Sequence, residues 1–300
     1  MATFLFSAGL AALVLQAPTN PLSPTPPDST DAQAWLEIGR AQVQVVVGYH
    51  AHRTTGDTTW ARAALDSADH AFARAARFGR GTRAADSAQV LRVYAWGLNA
   101  LLEWETGGPE AALAAWQALP DSLGLPPVLE ELGENLLRAC PRQGVLLTAG
   151  DADTYAAWYM RFARGLRPDL LILPLATWTR DSVFRGRVLR DARQRDPALR
   201  ALADRRGGPV CASMAFDRAP ELRPRVRWSS RPLVWVAGVE RKGDRVPAED
   251  FVFAALRLAI DQHETWSPPV VAVYRRAVGV TPALCRPLGT FGLKAEAGCR

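Results

Sequence analysis

The sequence has little lysine, few histidines and few cysteines, and each shortage narrows the classes of protein that it can encode. Only Lys242 and Lys294 stand among the 36 basic residues, so arginine carries the formal net charge of +6. Zinc-finger and RNP-type motifs are absent, as are basic runs interleaved with aromatic residues. A basic balance without these motifs does not predict nucleic-acid binding, and we expect no nucleic-acid partner.

Apolar runs long enough to cross a bilayer are also missing. A membrane-spanning helix needs about 20 consecutive apolar residues, and the longest uncharged apolar segment here, residues 2–15, is shorter than that. This shortage excludes a polytopic membrane protein. The 300 residues, 48% of them apolar, suit a globular chain with room for two domains.

Recognisable catalytic signatures are a further absence. The chain has no H-E-x-x-H, C-x-x-C or G-x-S-x-G sequence and no G-x-G-x-x-G fingerprint, which removes the usual basis for a zinc enzyme, a serine hydrolase or a dinucleotide-binding enzyme. His50 and His52 form an H-x-H pair, but alternate residues of a helix point to different sides and cannot easily share one metal. We therefore expect no metal, no cofactor and no enzymatic activity.

The first thirty residues are typical of an exported, tethered protein. Residues 1–17 form an apolar signal or anchor segment, and residues 18–30 form a proline-rich linker that favours an extended spacer. Cleavage after Ala17 would place Leu15 at a position that ordinarily needs a small residue. The segment is thus either a retained anchor that binds the membrane or a cleaved signal peptide, and both predict a periplasmic location.

Residues 31–140 read as an all-helical half. Glycine and proline breaks predict helices near 31–53, 58–78, 83–105, 109–119 and 126–139. The spacing of Ala68, Phe72 and Ala75 returns at Ala112, Trp116 and Leu119, as small, aromatic and apolar residues. This resembles the second helix of tetratricopeptide-type hairpins, whose stacks present a concave surface to proteins. The alternative is a plain helical bundle.

Residues 141–300 read as a smaller α/β half. Strand patterns occur at 144–149, 170–175, 210–215, 233–239 and 270–274, with helices predicted near 155–164, 181–203 and 248–264. The first strand, helix and second strand form a βαβ unit, which requires parallel pairing. We therefore predict a small three-layer sheet, Rossmann-like in outline, without the dinucleotide fingerprint.

One pair of motifs within this half is specific. Residues 150–159 read G-D-A-D-T-Y-A-A-W-Y, and residues 165–169 read G-L-R-P-D. The pair resembles the soluble C-terminal region of bacterial polytopic membrane proteins that are O-mannosyltransferase-like and otherwise of unknown function. The positions that match the family pattern are Gly150, Asp151, Asp153, Thr154, Tyr155, Trp158, Tyr159, Gly165, Arg167, Pro168 and Asp169. The positions that depart from it are Ala149, Ala152 and Ala156.

The resemblance covers about residues 140–300 and implies an extracytoplasmic accessory region. The family's membrane-embedded half, where sugar transfer would occur, has no counterpart among these residues, so transferase activity is not carried over. Weaker similarities follow at Trp266 to Tyr274 and in residues 288–293.

The motif residues allow two interpretations. The turn after the first strand of an open α/β sheet is a common ligand site, and Asp151 there can face a cation, a sugar hydroxyl or Arg167. The candidate ligand-binding residues are Asp151, Asp153, Thr154, Tyr155, Trp158, Arg167 and Asp169. The alternative is structural, with Asp153 or Thr154 capping the following helix and Trp158 in the core. A lost cap predicts that Asp153→Ala lowers stability by about 0.5–2 kcal/mol.

Cysteine and arginine add two further hypotheses. The four cysteines, Cys140, Cys211, Cys285 and Cys299, allow up to two disulfides in an exported protein, with three pairings open and free thiols as the alternative. Arginines cluster in residues 180–206, and we take Arg190, Arg193 and Arg200 as a candidate partner or lipid surface. A solvated helix face is the plainer explanation.

Together these features predict a non-enzymatic, exported, membrane-tethered accessory protein. It would bind and stabilise a protein partner, for example within a multi-subunit respiratory or photosynthetic membrane complex. The alternative is a glycan- or nucleotide-sugar-binding module associated with cell-envelope glycosylation, which the family resemblance implies.

Overall fold

A computed structural model describes residues 30–52, 58–120, 123–180, 185–186, 209–222, 227–238, 243 and 245–300. Within those ranges the fold is mixed α/β, with helices first and a five-stranded sheet after them. No helix in the described ranges combines the length and the apolar character that a membrane span requires. The apolar segment 1–17, almost all of the linker 18–30, all but two residues of the predicted helix 181–203, and Arg190, Arg193 and Arg200 lie outside the described residues.

The N-terminal half consists of helices, as predicted. They are α1 (Ala32–His52), α2 (Thr59–Phe78), α3 (Arg83–Gly107), α4 (Pro109–Gln117) and α5 (Pro127–Ala139). The Thr82 side chain caps α3 by accepting from the Ala85 N–H, and Gly108 ends it with a positive φ of 84°. The Phe72 ring fills the space that a side chain at Gly39 would need, so α1 and α2 pack closely.

The sheet begins after α5. Its strands are β1 (Val145–Thr148), β2 (Leu171–Pro174), β3 (Val210–Ser213), β4 (Ser229–Arg231) and β5 (Val234–Ala237), in the spatial order β2-β1-β3-β5-β4. Strand β1 pairs in parallel with both β2 and β3, while β5 pairs antiparallel with β3 and β4. Helix α6 (Asp151–Trp158), which continues as a π-helical turn (Tyr159–Ala163), connects β1 to β2, and α7 (Leu175–Arg180) follows β2.

The C-terminal part differs most from the prediction. Residues 270–274, predicted as a strand, lie within helix α9 (Ser267–Val280). Their β-branched residues favour a strand locally, but Val270, Val273, Tyr274 and Ala277 are spaced to bury one face of a helix, and prolines in the first turn favour helix initiation. The predicted helix 248–264 is a 3₁₀ turn (Ala248–Asp250) followed by α8 (Ala254–Asp261). A 3₁₀ turn (Pro282–Leu284) and α10 (Cys285–Thr290) end the chain.

Strand β4 has no counterpart in the prediction, because its residues are polar and mostly exposed at a sheet edge. The predicted helix 155–164 begins four residues earlier, at Asp151.

The helical half and the sheet share one hydrophobic core, and both disulfides reinforce it. Buried apolar side chains form one cluster from Trp35 to Ala297. Cys140, just after α5, is bonded to Cys211 in β3, with their Cα atoms 5.8 Å apart. Cys285 is bonded to Cys299, with a Cα separation of 5.6 Å. The free-thiol alternative is therefore wrong, and the pairing left open by the sequence is 140–211 and 285–299.

Candidate functional site

The turn between β1 and α6 lies where a ligand site is expected. Strands β2 and β3 lie on opposite sides of β1, so the sheet has a topological switch point between β1 and β3. Open α/β sheets commonly bind ligands at the carboxyl ends of the strands next to such a point. Four polar side chains meet there and all are buried: Thr148, Asp153, Thr154 and Ser213. We refer to these four residues as the turn cluster.

Asp153 is the centre of the turn cluster and is 1% exposed. Its carboxylate accepts hydrogen bonds from the backbone N–H groups of Ala149 (2.8 Å) and Gly150 (2.9 Å) and from the Ser213 hydroxyl. Burial raises the pKa of Asp153, and these three donors oppose that shift. Gly150, and not Asp153, is the N-cap of α6, and Asp153 is the third residue of the helix. The Asp153 carboxylate therefore reaches back to the turn from inside the helix and does not cap it from the N-cap position.

Thr154 is not a helix cap either. Its Oγ1 lies 2.8 Å from the Oγ1 of Thr148 at the end of β1, so the two buried hydroxyls bond each other. Asp151 is the first residue of α6.

Two aromatic residues of the motif are in the core, and the structural interpretation expects this for Trp158. Tyr155 is 1% exposed, with ring centroids 4.2 Å from that of Tyr94 and 6.4 Å from that of Trp266. Trp158 is 3% exposed and packs against Trp116, with 6.3 Å between ring centroids. It also fills the space next to Gly97 of α3, where an added Cβ would lie 2.7 Å from its ring. These contacts join α6 to the helical half.

The second half of the motif forms a separate network. Arg167 donates to the carbonyl oxygens of Leu137 (2.6 Å), Cys140 (3.0 Å) and Pro141 (3.2 Å), so it satisfies the carboxyl end of α5. Its guanidinium also pairs with both oxygens of Asp169, each at 2.9 Å. This bidentate pair lowers the pKa of Asp169 to about 2.

The two networks are at opposite edges of the sheet. Asp169 accepts from the Gln143 N–H at 2.8 Å, next to the amino end of β1, whereas Asp153 binds the backbone just past its carboxyl end. A four-residue strand separates these edges by about 13 Å. The structure therefore does not bring Arg167 and Asp169 together with Asp153 and Thr154.

A cleft near Tyr155 was not predicted from the sequence. It has a volume of about 700 Å³ and is formed by three separate segments, so we define it by its lining residues. These are Gly81, Arg83, Asp86 and Gln89 at the start of α3, Gly124, Leu125 and Pro126 before α5, and Gln262, His263, Glu264, Thr265 and Trp266 between α8 and α9.

Helix α5 holds the amino end of α8, whose other end leads into the third wall of this cleft. Glu131 accepts from the N–H groups of Ala255 (2.7 Å) and Leu256 (3.0 Å), which caps α8 from a neighbouring helix. Burial raises the pKa of Glu131, and its backbone donors oppose that shift. Asn135, one turn further along α5, donates to the Val252 carbonyl and to the Tyr274 hydroxyl. These contacts fix the start of α8 and the Tyr274 hydroxyl of α9 to helix α5.

Metal chemistry has no evident site within the described ranges, since no group of three His, Cys, Asp or Glu side chains converges there.

Comparison with known proteins gives one similarity. Residues 129–181 match the family model described as TMEM260-associated domain 2. The matched segment runs from α5 through β2 into α7 and contains both halves of the motif. No curated protein and no solved structure match the chain. This segment is therefore similar to the TMEM260-associated family.

Proposed function

We propose that this chain is a non-enzymatic accessory protein, exported and tethered at the membrane, that binds and stabilises a protein partner. The main support is that four polar side chains of the motif form their hydrogen bonds and ion pairs within the protein itself. Asp153 and Arg167 bond backbone groups, Arg167 also pairs with Asp169, and Thr154 bonds the Thr148 hydroxyl. Residues used in this way serve the scaffold, and the helical surface remains for recognition.

A groove on the helical half supplies a candidate surface for the partner. It lies between α2 and α3 and has a volume of about 360 Å³. Trp96 is half-buried at this groove, and tryptophans in such settings often dominate the energy of protein interfaces. The other lining residues are Leu65, Asp66, Asp69, His70, Ala95 and Asn99. In our proposal α1 to α4 act as a tetratricopeptide-like array with this groove as part of its binding face.

The proposed location is extracytoplasmic. Both cysteine pairs are disulfide-bonded, and such bonds persist mainly in oxidising compartments such as the periplasm. The apolar segment 1–17 would then bind the membrane, and Arg190, Arg193 and Arg200 would orient docking on an acidic partner or lipid surface.

The proposal also includes the relationship of the sheet region to O-mannosyltransferase-like membrane proteins. The similarity of residues 129–181 to a TMEM260-associated domain is compatible with the O-mannosyltransferase-like membrane proteins that the motif resembles. We propose that the sheet region is a Rossmann-like accessory module of that kind, without transferase activity. A glycan- or nucleotide-sugar-binding module is the alternative, but the turn cluster offers it little, because Asp153 and Thr154 already have partners within the protein.

Affinity purification of the full chain from gently solubilised source membranes tests the proposal. We expect native mass spectrometry to detect a bound protein subunit. Trp96→Ala should weaken retention of that subunit by about tenfold or more, as loss of an interface tryptophan does. Phe78→Ala, which truncates another partly exposed aromatic residue of the helical half, is the matched control and should retain it.

Two results would contradict the proposal: a chain that purifies alone, or a Trp96→Ala variant that keeps its subunit as well as the control does. Reversal of Arg190, Arg193 and Arg200 to glutamate should slow association and reduce its salt sensitivity without abolishing it. Complete detachment from the membrane after this reversal would identify a lipid-surface protein instead.

A further inference from the structure

The cleft between α3, the segment before α5 and the α8–α9 loop has the size of a small-molecule site. Its volume of about 700 Å³ lies within the range of about 300–1,000 Å³ that is usual for ligand pockets. Its walls carry carboxylates, side-chain amides, a guanidinium, an imidazole and an indole. A concave surface with many polar groups of different kinds indicates recognition of a ligand that both donates and accepts hydrogen bonds.

Two carboxylates of the cleft are close enough to interact electrostatically. Asp86 and Glu264 both line it, and no described residue forms a hydrogen bond or ion pair with either carboxylate. Partial burial raises the pKa of Glu264, and the negative charge of Asp86 raises it further. A hydrogen-bond donor placed between the two groups would relieve this repulsion.

Two further polar atoms in the same wall have no partner among the described residues. They are Thr265 Oγ1 and Trp266 Nε1, and neither is in contact with solvent. An unpaired buried donor or hydroxyl is unfavourable, so native structures rarely retain one without a reason. An arrangement of the Thr265–Trp266 segment that gave these atoms a partner would therefore be more stable.

The backbone of the same loop carries strain at His263. This residue ends α8 with φ of +55°, and its N–H bonds the Ile260 carbonyl while the Glu264 N–H bonds the Ala259 carbonyl. Glycine is the residue that ordinarily occupies this left-handed position after a helix. Histidine in this backbone conformation makes the fold less stable than glycine would, but it supplies an imidazole to the cleft wall.

We propose that this cleft binds a neutral, hydroxyl-rich small molecule of the size of a mono- or disaccharide. Asp86 and Glu264 disfavour an anion, and the charge of Arg83 disfavours a metal cation. A hydroxyl group can donate to the carboxylates and accept from Arg83, so one chemical group satisfies both sets. The indole and the apolar wall at Leu125 can cover the less polar face of a sugar ring.

This site is distinct from the turn cluster and goes beyond the proposed binding of a protein partner. Tyr155 of the motif lies beneath Trp266, with 6.4 Å between ring centroids, and supports the wall of the cleft without lining it. Tyr155 is thus the motif residue that supports the cleft, and the motif residues are not among those that line it.

Ligand-observed NMR on the full chain in lipid nanodiscs tests the proposal. Nanodiscs are needed because glucoside and maltoside detergents carry sugar headgroups that would compete. The probes are methyl glycosides of glucose, galactose, mannose and N-acetylglucosamine with their disaccharides, and the competing probes are calcium chloride, inorganic phosphate and spermidine. We expect saturation transfer to at least one saccharide and to none of the charged probes.

Variants then assign the binding to the cleft. The double substitution Asp86→Asn and Glu264→Gln should lower saccharide affinity by about tenfold or more, since it removes charge-assisted hydrogen bonds. Asp217→Asn, at a carboxylate with 97% side-chain exposure that does not line the cleft, should leave affinity unchanged. His263→Gly should weaken binding while the melting temperature stays the same or rises.

Binding of a charged probe in place of a saccharide would overturn the proposal. So would the absence of saccharide binding, or equal saccharide affinity of the wild type and the double variant. Each of these results is independent of whether a protein subunit co-purifies with the chain.

Discussion

The turn cluster and the cleft are both polar and both lie near Tyr155, but they differ in whether their polar side chains have partners within the protein. In the turn cluster, Asp153 receives three hydrogen bonds and Thr154 bonds Thr148. In the cleft, Asp86 and Glu264 repel each other and lack a partner among the described residues. Satisfied groups stabilise a fold, whereas unsatisfied groups reduce stability and are typical of binding sites.

This contrast shows that a motif that is easy to find in a sequence need not be the part of the structure that binds a ligand. The G-D-A-D-T turn stands out in the sequence through its resemblance to a family pattern, and its Asp153 and Thr154 are bonded within the fold. The cleft residues come from three distant segments and form no pattern along the chain. A conspicuous motif can therefore be a scaffold element while the binding surface lies beside it.

The largest expected effect is the loss of Asp153. Asp153→Ala leaves the N–H groups of Ala149 and Gly150 and the Ser213 hydroxyl unpaired in a buried position. We expect a loss of about 2–4 kcal/mol in the free energy of unfolding, more than removal of an exposed cap. Chemical denaturation measures it, with the exposed Asp217→Ala as control at within about 0.5 kcal/mol. Equal stability of the two variants would make the turn cluster dispensable to the fold.

A smaller loss is expected where α5 and α6 meet. A Cβ at Gly133 would clash with the Ala156 carbonyl and lie 2.7 Å from Met160 Cγ, so Gly133→Ala should destabilise the protein by about 1–3 kcal/mol. Gly48 of α1 has open space around it, and Gly48→Ala should stabilise by about 0.5–1 kcal/mol. Thermal unfolding compares the two; a shift of the same sign in both would contradict the close approach of α5 and α6.

The Arg167–Asp169 pair should make stability depend on acid pH. The pKa of Asp169 is about 2 in the folded protein and close to its ordinary value of 3.8 when unfolded. Its contribution is therefore present above about pH 4 and is lost as the pH falls toward 2. After allowance for screening by solvent, we expect Asp169→Asn to lose about 1 kcal/mol at pH 6. Denaturation curves at pH 6 and pH 2.5 should show that difference shrinking; a constant difference would contradict the ion-pair assignment.

The smallest expected change in stability is a gain, and it comes from replacing Glu264 in the cleft. The pKa of Glu264 is raised in the folded protein, so its stabilising contribution is present below the ordinary carboxyl pKa and is lost as the pH rises. Glu264→Gln should therefore stabilise the protein at neutral pH by a few tenths of a kcal/mol, because the group is half-exposed and partly screened. The gain should vanish in acid. Destabilisation at pH 7 would mean that Glu264 has a partner that supports the fold.

Much of the fold could be predicted from the sequence wherever a local pattern and burial agree. The predicted helix 58–78 is observed at Thr59–Phe78, and the predicted strand 144–149 at Val145–Thr148. In these segments the apolar spacing matches the period of the element that forms.

The failures occur where distant contacts decide. Three of the residues 270–274 are β-branched valines, but the packing of this segment against the core requires a helix. The edge strand Ser229–Arg231 is held by pairing with β5 and has no apolar alternation to reveal it. The disulfide pairs are set by the proximity of Cys140 to β3 and of Cys285 to the C-terminal tail, which spacing alone does not give.

The candidate site divides in the same way. Burial of Trp158 and a structural role for Asp153 could be predicted from the motif, although the position of Asp153 in the helix could not. The separation of Arg167 and Asp169 from the turn cluster depends on the parallel pairing of β1 and β2. The cleft requires the relative placement of α3 and the α8–α9 loop, for which the sequence has no short-range signal.

The most direct test measures unfolding and saccharide binding on the same two variants of the full chain. Our account predicts that Asp153→Ala lowers the melting temperature and that the double variant Asp86→Asn, Glu264→Gln keeps or raises it. It also predicts that the folded Asp153→Ala protein still binds saccharide at low temperature, while the double variant loses that binding. The reverse pattern, with binding lost by a fully stable Asp153→Ala variant and kept by the double variant, would contradict the account and make the turn cluster the binding site.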